Sequence, residues 1–327
     1  MRYVSVMFVL FLVLSCQDKA TENVKLSGPV FGTGFNIQYY SEDDQNYIED
    51  INVLFDTINQ SLSTYIPDSD ISKINRGEDL KIDVHFKRVF KCSKDIYELT
   101  EGVFDPTIGN VVNAWNFGAE TNKFLTDSTT IDSLMQFVGL NQVSLVDNII
   151  QKPSGFYLEF NAIAKGYGVD AVADFLESKS VHNYLVEIGG EVRVKGKNIE
   201  KMSPWRVGLD EPRFDGEQYV FKGISLTDEA MATSGTYRKF KTDANGNRYA
   251  HIINTKTGYP SKTTILSVSV IARDCMTADA YATAFQAMGI ERVKEFLETH
   301  KDLKVYFIYE DENQKLQTLN LNGFPEN

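Results

Sequence analysis

Apolar positions along the chain repeat with two different periods, and the segments that carry them alternate. In residues 46–65, Ile48, Ile51, Leu54, Phe55, Ile58 and Leu62 recur every three to four positions, which predicts an amphipathic helix. The same spacing runs through Phe90, Ile96, Tyr97 and Leu99 within 86–100, and Gly102 follows as a stop signal. Further helices are predicted at 128–139, 164–178 and 277–288. Period-two or continuous apolar runs predict strands at 35–40, 157–160, 205–209, 219–226, 230–234, 266–272, 305–309 and 316–321. Residues 184–195 read as two strands around Gly189-Gly190, a hairpin signal. The mixture predicts an α+β fold, with mixed or antiparallel sheets and packed helices. No change of composition marks a linker, so residues 28–327 are expected to form a single compact domain.

The first residues break this pattern. One Arg precedes an apolar run, Val4–Leu14, interrupted only by Ser5. A bilayer-spanning helix needs about 20 apolar residues, so the run is too short to cross. It suits the apolar part of a secretory signal. It ends in Val-Leu-Ser-Cys, which resembles a bacterial lipoprotein cleavage box, although Val13 stands where Leu is usual. The expectation is a signal peptide over 1–15, a lipidated Cys16 and a polar tether over 16–27. More than one acyl chain on Cys16 would hold the protein stably on a membrane. The protein would then lie outside the cytoplasm, on the periplasmic side in a Gram-negative cell.

Composition narrows the classes. Hydrophobic residues make up 43% of the 327 and aromatics 12%, enough for a substantial core. A formal net charge of −12 opposes binding to nucleic acid or to anionic headgroups through a basic patch. Beyond Cys16 only Cys92 and Cys275 remain; an oxidising compartment permits them to pair, and burial as free thiols is the other reading.

Five short segments are richer in Gly, Asp, Asn, His and small residues than a fold alone requires. In Gly102–Gly118, Trp115 and Phe117 stand among glycines, as a site that stacks a flat ligand needs. In Glu159–Gly166 a strand is expected to give way to a helix, whose free N–H groups and positive dipole end suit a phosphate, with Lys165 adding charge. Glu187–Glu191 holds paired glycines that serve either a ligand or a tight turn. Met231–Arg238 and Tyr249–Gly258 contain His251, one of four histidines, placed to bond a phosphate or to relay a proton. In Asp274–Thr283, Asp279 and Thr283 are i and i+4 and share one helix face among small residues. A carboxylate with a hydroxyl is hard-oxygen chemistry, suited to Mg²⁺; the His/Cys clustering of a zinc site is absent.

Taken in order, these segments resemble the ApbE family of FAD:protein FMN transferases. The likeness is carried by FGT, LSTYIPDSDISKIN, GVFDPTIG with NAWNFG, FNAIAKGY, VEIGGEVRVKG, PWRVGL, ATSGTYRKF, YAHIINTKTGYP and ADAYATA, from about Gly28 to Leu321. The resemblance implies an enzyme that takes FAD and Mg²⁺, cleaves the pyrophosphate, and transfers FMN to a Thr or Ser of an acceptor protein through a phosphoester bond, releasing AMP. Acceptors of the family include subunits of sodium-pumping or electron-transporting redox complexes. The resemblance places Asp279 and Thr283 on the metal, with the Ala162 carbonyl as a further ligand. It places Phe31, Tyr65, Trp115, Asn116, Phe117, Glu159, Lys165 and His251 around FAD, and gives His251 and Asp279 catalytic roles. Phe31 stands where many members have Met, and Glu159 where Asp is common. Two other readings of the same residues are a Mg²⁺-dependent FAD pyrophosphatase yielding FMN and AMP, and a non-catalytic FAD-binding lipoprotein.

Overall fold

The computed structural model describes residues 21–41, 45–120, 125–237, 240–242, 248–261 and 263–326. The expected signal peptide and Cys16 lie outside these residues. The strands are β1 (Glu22–Val30), β2 (Thr33–Ser41), β3 (Ser144–Val146), β4 (Ile149–Gln151), β5 (Tyr184–Ile188), β6 (Glu191–Lys195), β7 (Trp205–Asp210), β8 (Val220–Leu226), β9 (Ala230–Gly235), β10 (Phe240–Thr242), β11 (Arg248–Ala250), β12 (Ile265–Ala272), β13 (Lys304–Glu310) and β14 (Leu316–Leu321). The helices are α1 (Ile48–Leu62), α2 (Asp70–Asn75), α3 (Val84–Leu99), α4 (Gly109–Ala114), α5 (Ser128–Met135), α6 (Ala164–Ser178), α7 (Cys275–Met288) and α8 (Ile290–Phe296). None is long and apolar enough to cross a membrane.

Eight strands form one sheet in the order β1-β2-β5-β6-β9-β12-β13-β14, antiparallel at every ladder. Strand periodicity explains why both faces are covered. On β5, β9, β12 and β13, alternate residues Val186, Ile188, Ala232, Val268, Val270, Val305 and Phe307 face the helices. Their neighbours Met231, Ile271, Tyr306 and Ile308 face the other way, against Trp205, Leu209, Ile224 and Leu226 of the β7–β8 hairpin. β12 is therefore buried along its whole length. On the helical face α6 packs on β5 and β6, α7 packs on β9 and β12, and α6 and α7 pack on each other.

One irregularity in this sheet matters for the site. β9 pairs with β12 as far as Gly235↔Ser267, but with β6 only at Val192↔Met231 and Arg193↔Ala230. Beyond those two pairs β6 and β9 diverge. The β6 end of the gap is the tight Gly189-Gly190 turn, with φ +60° and +101°.

Three expectations need correction. The tether expected over 16–27 ends sooner, because residues 22–27 belong to β1, paired along β2 from Glu22↔Ser41. Polar Asn23 and Lys25 alternate with Val24 and Leu26, so a strand with one solvated face reads as a polar stretch. The strand expected at 157–160 is absent. Only Tyr157 makes a bridge, to Ile108, while the Asn75 side chain bonds both the N–H and the carbonyl of Leu158 at 2.8 Å. The predicted helix 128–139 stops at Met135. Cys92 and Cys275 are free thiols, the latter fully buried.

Candidate active site

Where β6 and β9 diverge, a cavity of about 1140 Å³ opens, large enough for a dinucleotide. Its walls come from four directions. Two hairpin turns, Phe31-Gly32 and Gly189-Gly190, stand side by side because β2 pairs with β5; the Gly189 N–H bonds the Gly34 carbonyl at 3.0 Å. The β7–β8 hairpin supplies Arg206, Gly208, Asp210 and Val220. The loop before α4 supplies Phe104, Asp105 and Pro106, and the segment after β11 supplies His251–Ile253 and Thr255. The floor is the start of α6 and one face of α7.

On the floor lie Asp279, Thr283, Lys165 and Ala162. Asp279 is 5% exposed, lines the cavity, and accepts the backbone N–H of Gly166 on Oδ2 at 3.0 Å. Burial pushes its carboxyl above the usual carboxylate range; the charge of Lys165 and the Gly166 N–H pull the other way. Thr283, one turn along α7, lies 3.2 Å from the Ser234 hydroxyl of β9, and both line the cavity. Lys165 Nζ pairs with Oε1 of the almost fully buried Glu191 at 2.6 Å. Ala162 lines the same floor just before α6. Among the described residues no three His, Cys, Asp or Glu side chains converge on one point. A cation here would take few protein ligands, which fits a hard divalent ion that fills its shell with water and substrate oxygen. A buried carboxylate facing the cavity is a group whose charged form such an ion would stabilise.

Around the walls, Phe31, Tyr65, Phe117, Glu159 and His251 also line the cavity. Phe31 sits in the left-handed region at φ +49°, beside Gly32 at +74°, as a two-residue hairpin turn of this hand demands. A phenylalanine there is strained. The ring is held edge-on to Phe55 at 5.5 Å and lies so close to Gly168 that a Cβ on that glycine would come 2.5 Å from it. His251 stacks edge-on to Phe117, with ring centroids 6.3 Å apart, and is the one imidazole among the described lining residues. Tyr65 is half exposed, and burial of its remainder together with the charge of Glu159 raises its phenol.

Two predicted residues stand apart. Trp115 and Asn116 do not line the cavity. Trp115 instead donates from Nε1 to the Gly258 carbonyl at 2.8 Å and packs edge-on to Tyr249 and Tyr259. Asn116 takes the left-handed turn at φ +59° that brings Phe117 round. The N-terminus of α6 differs from expectation too: the Gly166 N–H is spent on Asp279 rather than left for a phosphate. Sequence reasoning missed Asn36, Arg206, Asp210 and Gln218 as lining residues. They come from β2 and the β7–β8 hairpin; Arg206 lies within PWRVGL without being singled out, the other three carry no local signature, and the sheet topology is what brings them to the cavity. Thr233 and Ser234 lay in the flagged segment Met231–Arg238 without being singled out.

The fold and this site together define an α+β protein whose sheet opens over a carboxylate–hydroxyl floor. The sequence profile of the ApbE family matches residues 31–307, and the chain belongs to that family. It is 37% identical over 292 residues to a FAD:protein FMN transferase of Vibrio cholerae, covering 86% of each chain. A FAD:protein FMN transferase of Haemophilus influenzae is 35% identical over 319 residues, covering 92% of this chain and 91% of that one. Among solved structures, the flavin transferase ApbE from Vibrio cholerae superposes with a TM-score of 0.82 at 34% identity, covering 92% of this chain and 97% of that one. The apo form of Pseudomonas stutzeri flavinyl transferase ApbE gives 0.81 at 26% identity, covering 92% and 95%.

Proposed function

We propose that this protein transfers FMN from FAD to a Thr or Ser hydroxyl of an acceptor protein, with Mg²⁺ as cofactor and AMP as leaving product. The observation that carries the reading is the buried Asp279 carboxylate with Thr283 one turn along on the floor of a dinucleotide-sized cavity, in a chain that matches FAD:protein FMN transferases over most of its length.

Asp279, Thr283 and the backbone at Ala162 are the groups that would hold Mg²⁺, which when bound supplies positive charge to the diphosphate oxygens. The chain's own residues do the rest. Lys165, fixed against Glu191, brings a cation to the mouth of α6, where the diphosphate would lie. Phe31, Phe117 and Tyr65 offer ring faces and edges for a flat heterocycle. The acceptor oxygen forms a bond to the FMN phosphorus, the bond from that phosphorus to the bridging oxygen breaks, and AMP departs with the electron pair. The hydroxyl proton passes to His251. Positioning and charge neutralisation supply most of the acceleration in such transfers.

The anchor belongs to the same proposal. The apolar run followed by Leu-Ser-Cys supports a lipidated Cys16 that holds the enzyme on a membrane outside the cytoplasm. Acceptors would then be membrane-associated redox subunits exposed on that side. Replacing Cys16 by Ser should move the protein from the membrane fraction to the soluble fraction; unchanged fractionation refutes the anchor.

Incubation of the protein with FAD, MgCl₂ and a Thr-containing acceptor tests the activity. Mass spectrometry should find the acceptor heavier by one FMN on Thr or Ser, with AMP released in equal amount. Asp279→Ala should abolish this transfer in a folded protein. Free FMN and AMP without a modified acceptor would replace the transferase reading with a hydrolase.

A further inference from the structure

Asp170 lies on α6, one turn beyond Gly166 and outside the cavity lining. It is 2% exposed. Its two oxygens reach across to the first turn of α7: Oδ1 accepts the Cys275 N–H at 2.9 Å and Oδ2 the Met276 N–H at 2.8 Å. Oδ1 also accepts Arg193 Nη1 of β6 at 3.0 Å. The helix's own cap, Asp274, takes the Thr277 N–H at 2.9 Å, and its carbonyl takes that of Ala278. Three of the N–H groups that this helix start leaves open, those of Cys275, Met276 and Thr277, are thus bonded, two of them by a residue of another helix. Asp279 follows one turn later on α7, with Oδ2 on the Gly166 N–H. α6 therefore grips α7 at two levels, Gly166 to Asp279 and Asp170 to Cys275 and Met276.

We propose that Asp170 is a positioning residue for the cation site: by fixing the start of α7 to α6 it sets where Asp279 and Thr283 present their oxygens. The inference rests on the proposed role of Asp279 and Thr283 as cation ligands. A local cap on an exposed helix needs no carboxylate from a second helix, and this carboxylate is desolvated and shared with Arg193. A satisfied buried polar network of this kind rigidifies the contact between the two helices. Groups that orient metal ligands without touching the metal change metal affinity about 10- to 100-fold when removed.

The test is a titration of MnCl₂ into the full-length protein saturated with FAD, with no acceptor present and free Mn²⁺ read by its EPR signal. Four variants are compared with the parent. Asp279→Ala should lose Mn²⁺ binding; if it binds normally, the ligand assignment itself fails. Asp170→Asn should bind Mn²⁺ about 10- to 100-fold more weakly. Asp174→Asn also removes a partner of Arg193 (3.3 Å) but does not touch α7, and should bind Mn²⁺ normally. Should Asp170→Asn not fold, Met276→Pro probes the same bond from the other side, because proline is tolerated in a first helical turn yet lacks the N–H that Oδ2 accepts. It should weaken Mn²⁺ binding several-fold. Normal binding by Asp170→Asn or Met276→Pro, with binding lost in Asp279→Ala, overturns the inference and leaves the ligand assignment standing. Equal weakening by Asp174→Asn and Asp170→Asn overturns it also.

Discussion

Gly166 and Asp279 meet more closely than any other residue could allow at position 166. The glycine gives its N–H to Asp279 Oδ2 at 3.0 Å, and a Cβ in its place would lie 2.3 Å from the Cys275 carbonyl oxygen and 2.8 Å from the Asp279 Cβ. Gly166→Ala should push α6 and α7 apart. Overpacking of this kind costs about 1–3 kcal/mol. Denaturant unfolding should show that loss, and FMN transfer should fall far more than stability does. A variant with parental transfer rates would mean that the helix contact does not set the floor.

The Lys165–Glu191 pair separates binding from folding. Lys165→Met removes the cation that faces the almost fully buried Glu191, so stability should drop by about 1–3 kcal/mol and FAD affinity by about tenfold. Adding Glu191→Gln should restore much of the stability, because the buried charge goes with its partner. FAD affinity, measured by flavin fluorescence, should stay low in the double variant. Recovery of both together would make Lys165 purely structural.

Trp115 and Phe117 should behave oppositely. Trp115→Phe loses the indole bond to Gly258, worth about 1 kcal/mol, and should leave the FAD dissociation constant within about threefold of the parent. Phe117→Ala removes a ring that lines the cavity and should weaken FAD binding by tenfold or more. Calorimetric titration with FAD distinguishes them; a large affinity loss in Trp115→Phe would return that residue to the site.

Asp170 gives the stability curve a specific pH signature. Burial, and then the charge of Asp274, push its carboxyl up to about 6, against the bonds from Cys275, Met276 and Arg193. A folded value above the unfolded one means that the native state binds the proton more readily. The resulting stabilisation is complete below the unfolded value of about 4 and disappears as pH rises through 6. Relative to Asp170→Asn, the parent should therefore gain on the order of 2–3 kcal/mol between pH 7 and pH 4, measured by urea unfolding. A constant difference across that range would contradict this assignment.

The two internal thiols should be inert. Burial pushes the Cys92 thiol up to about 12 and raises Cys275 well above its ordinary value. In a protein with Cys16 replaced by Ser, neither should react with iodoacetamide at pH 8 until denaturant is added. Rapid labelling of the native protein, read by mass spectrometry, would show that α3 or α7 opens.

Much of this molecule is legible in its sequence, and the exceptions have physical causes. α6 and the hairpin of β5 and β6 carry long periodic runs with clear stops, and their bounds match expectation. α2, α4 and α8 are six or seven residues long, too short to display a period. Asp279, Thr283 and Lys165 lie on helices with recognisable spacing, and the fold brings them to one floor. Trp115 packs against tyrosines and a loop carbonyl, a placement its sequence does not reveal, because an aromatic among glycines looks the same whether it faces a ligand or its own fold. Asp210 carries no local mark, and Arg206 falls within PWRVGL without being singled out, since the packing of a distant hairpin is what makes them wall residues.

The divergence of β6 from β9 determines how the cleft keeps its gauge. Each lip is backed by its own helix, α6 behind β5 and β6, α7 behind β9 and β12. The spacing of the lips is thus inherited from the girder formed by those two helices behind the sheet. Loops at the mouth can be lengthened or rewritten without altering that aperture, whereas one added methyl where the helices touch would spread it.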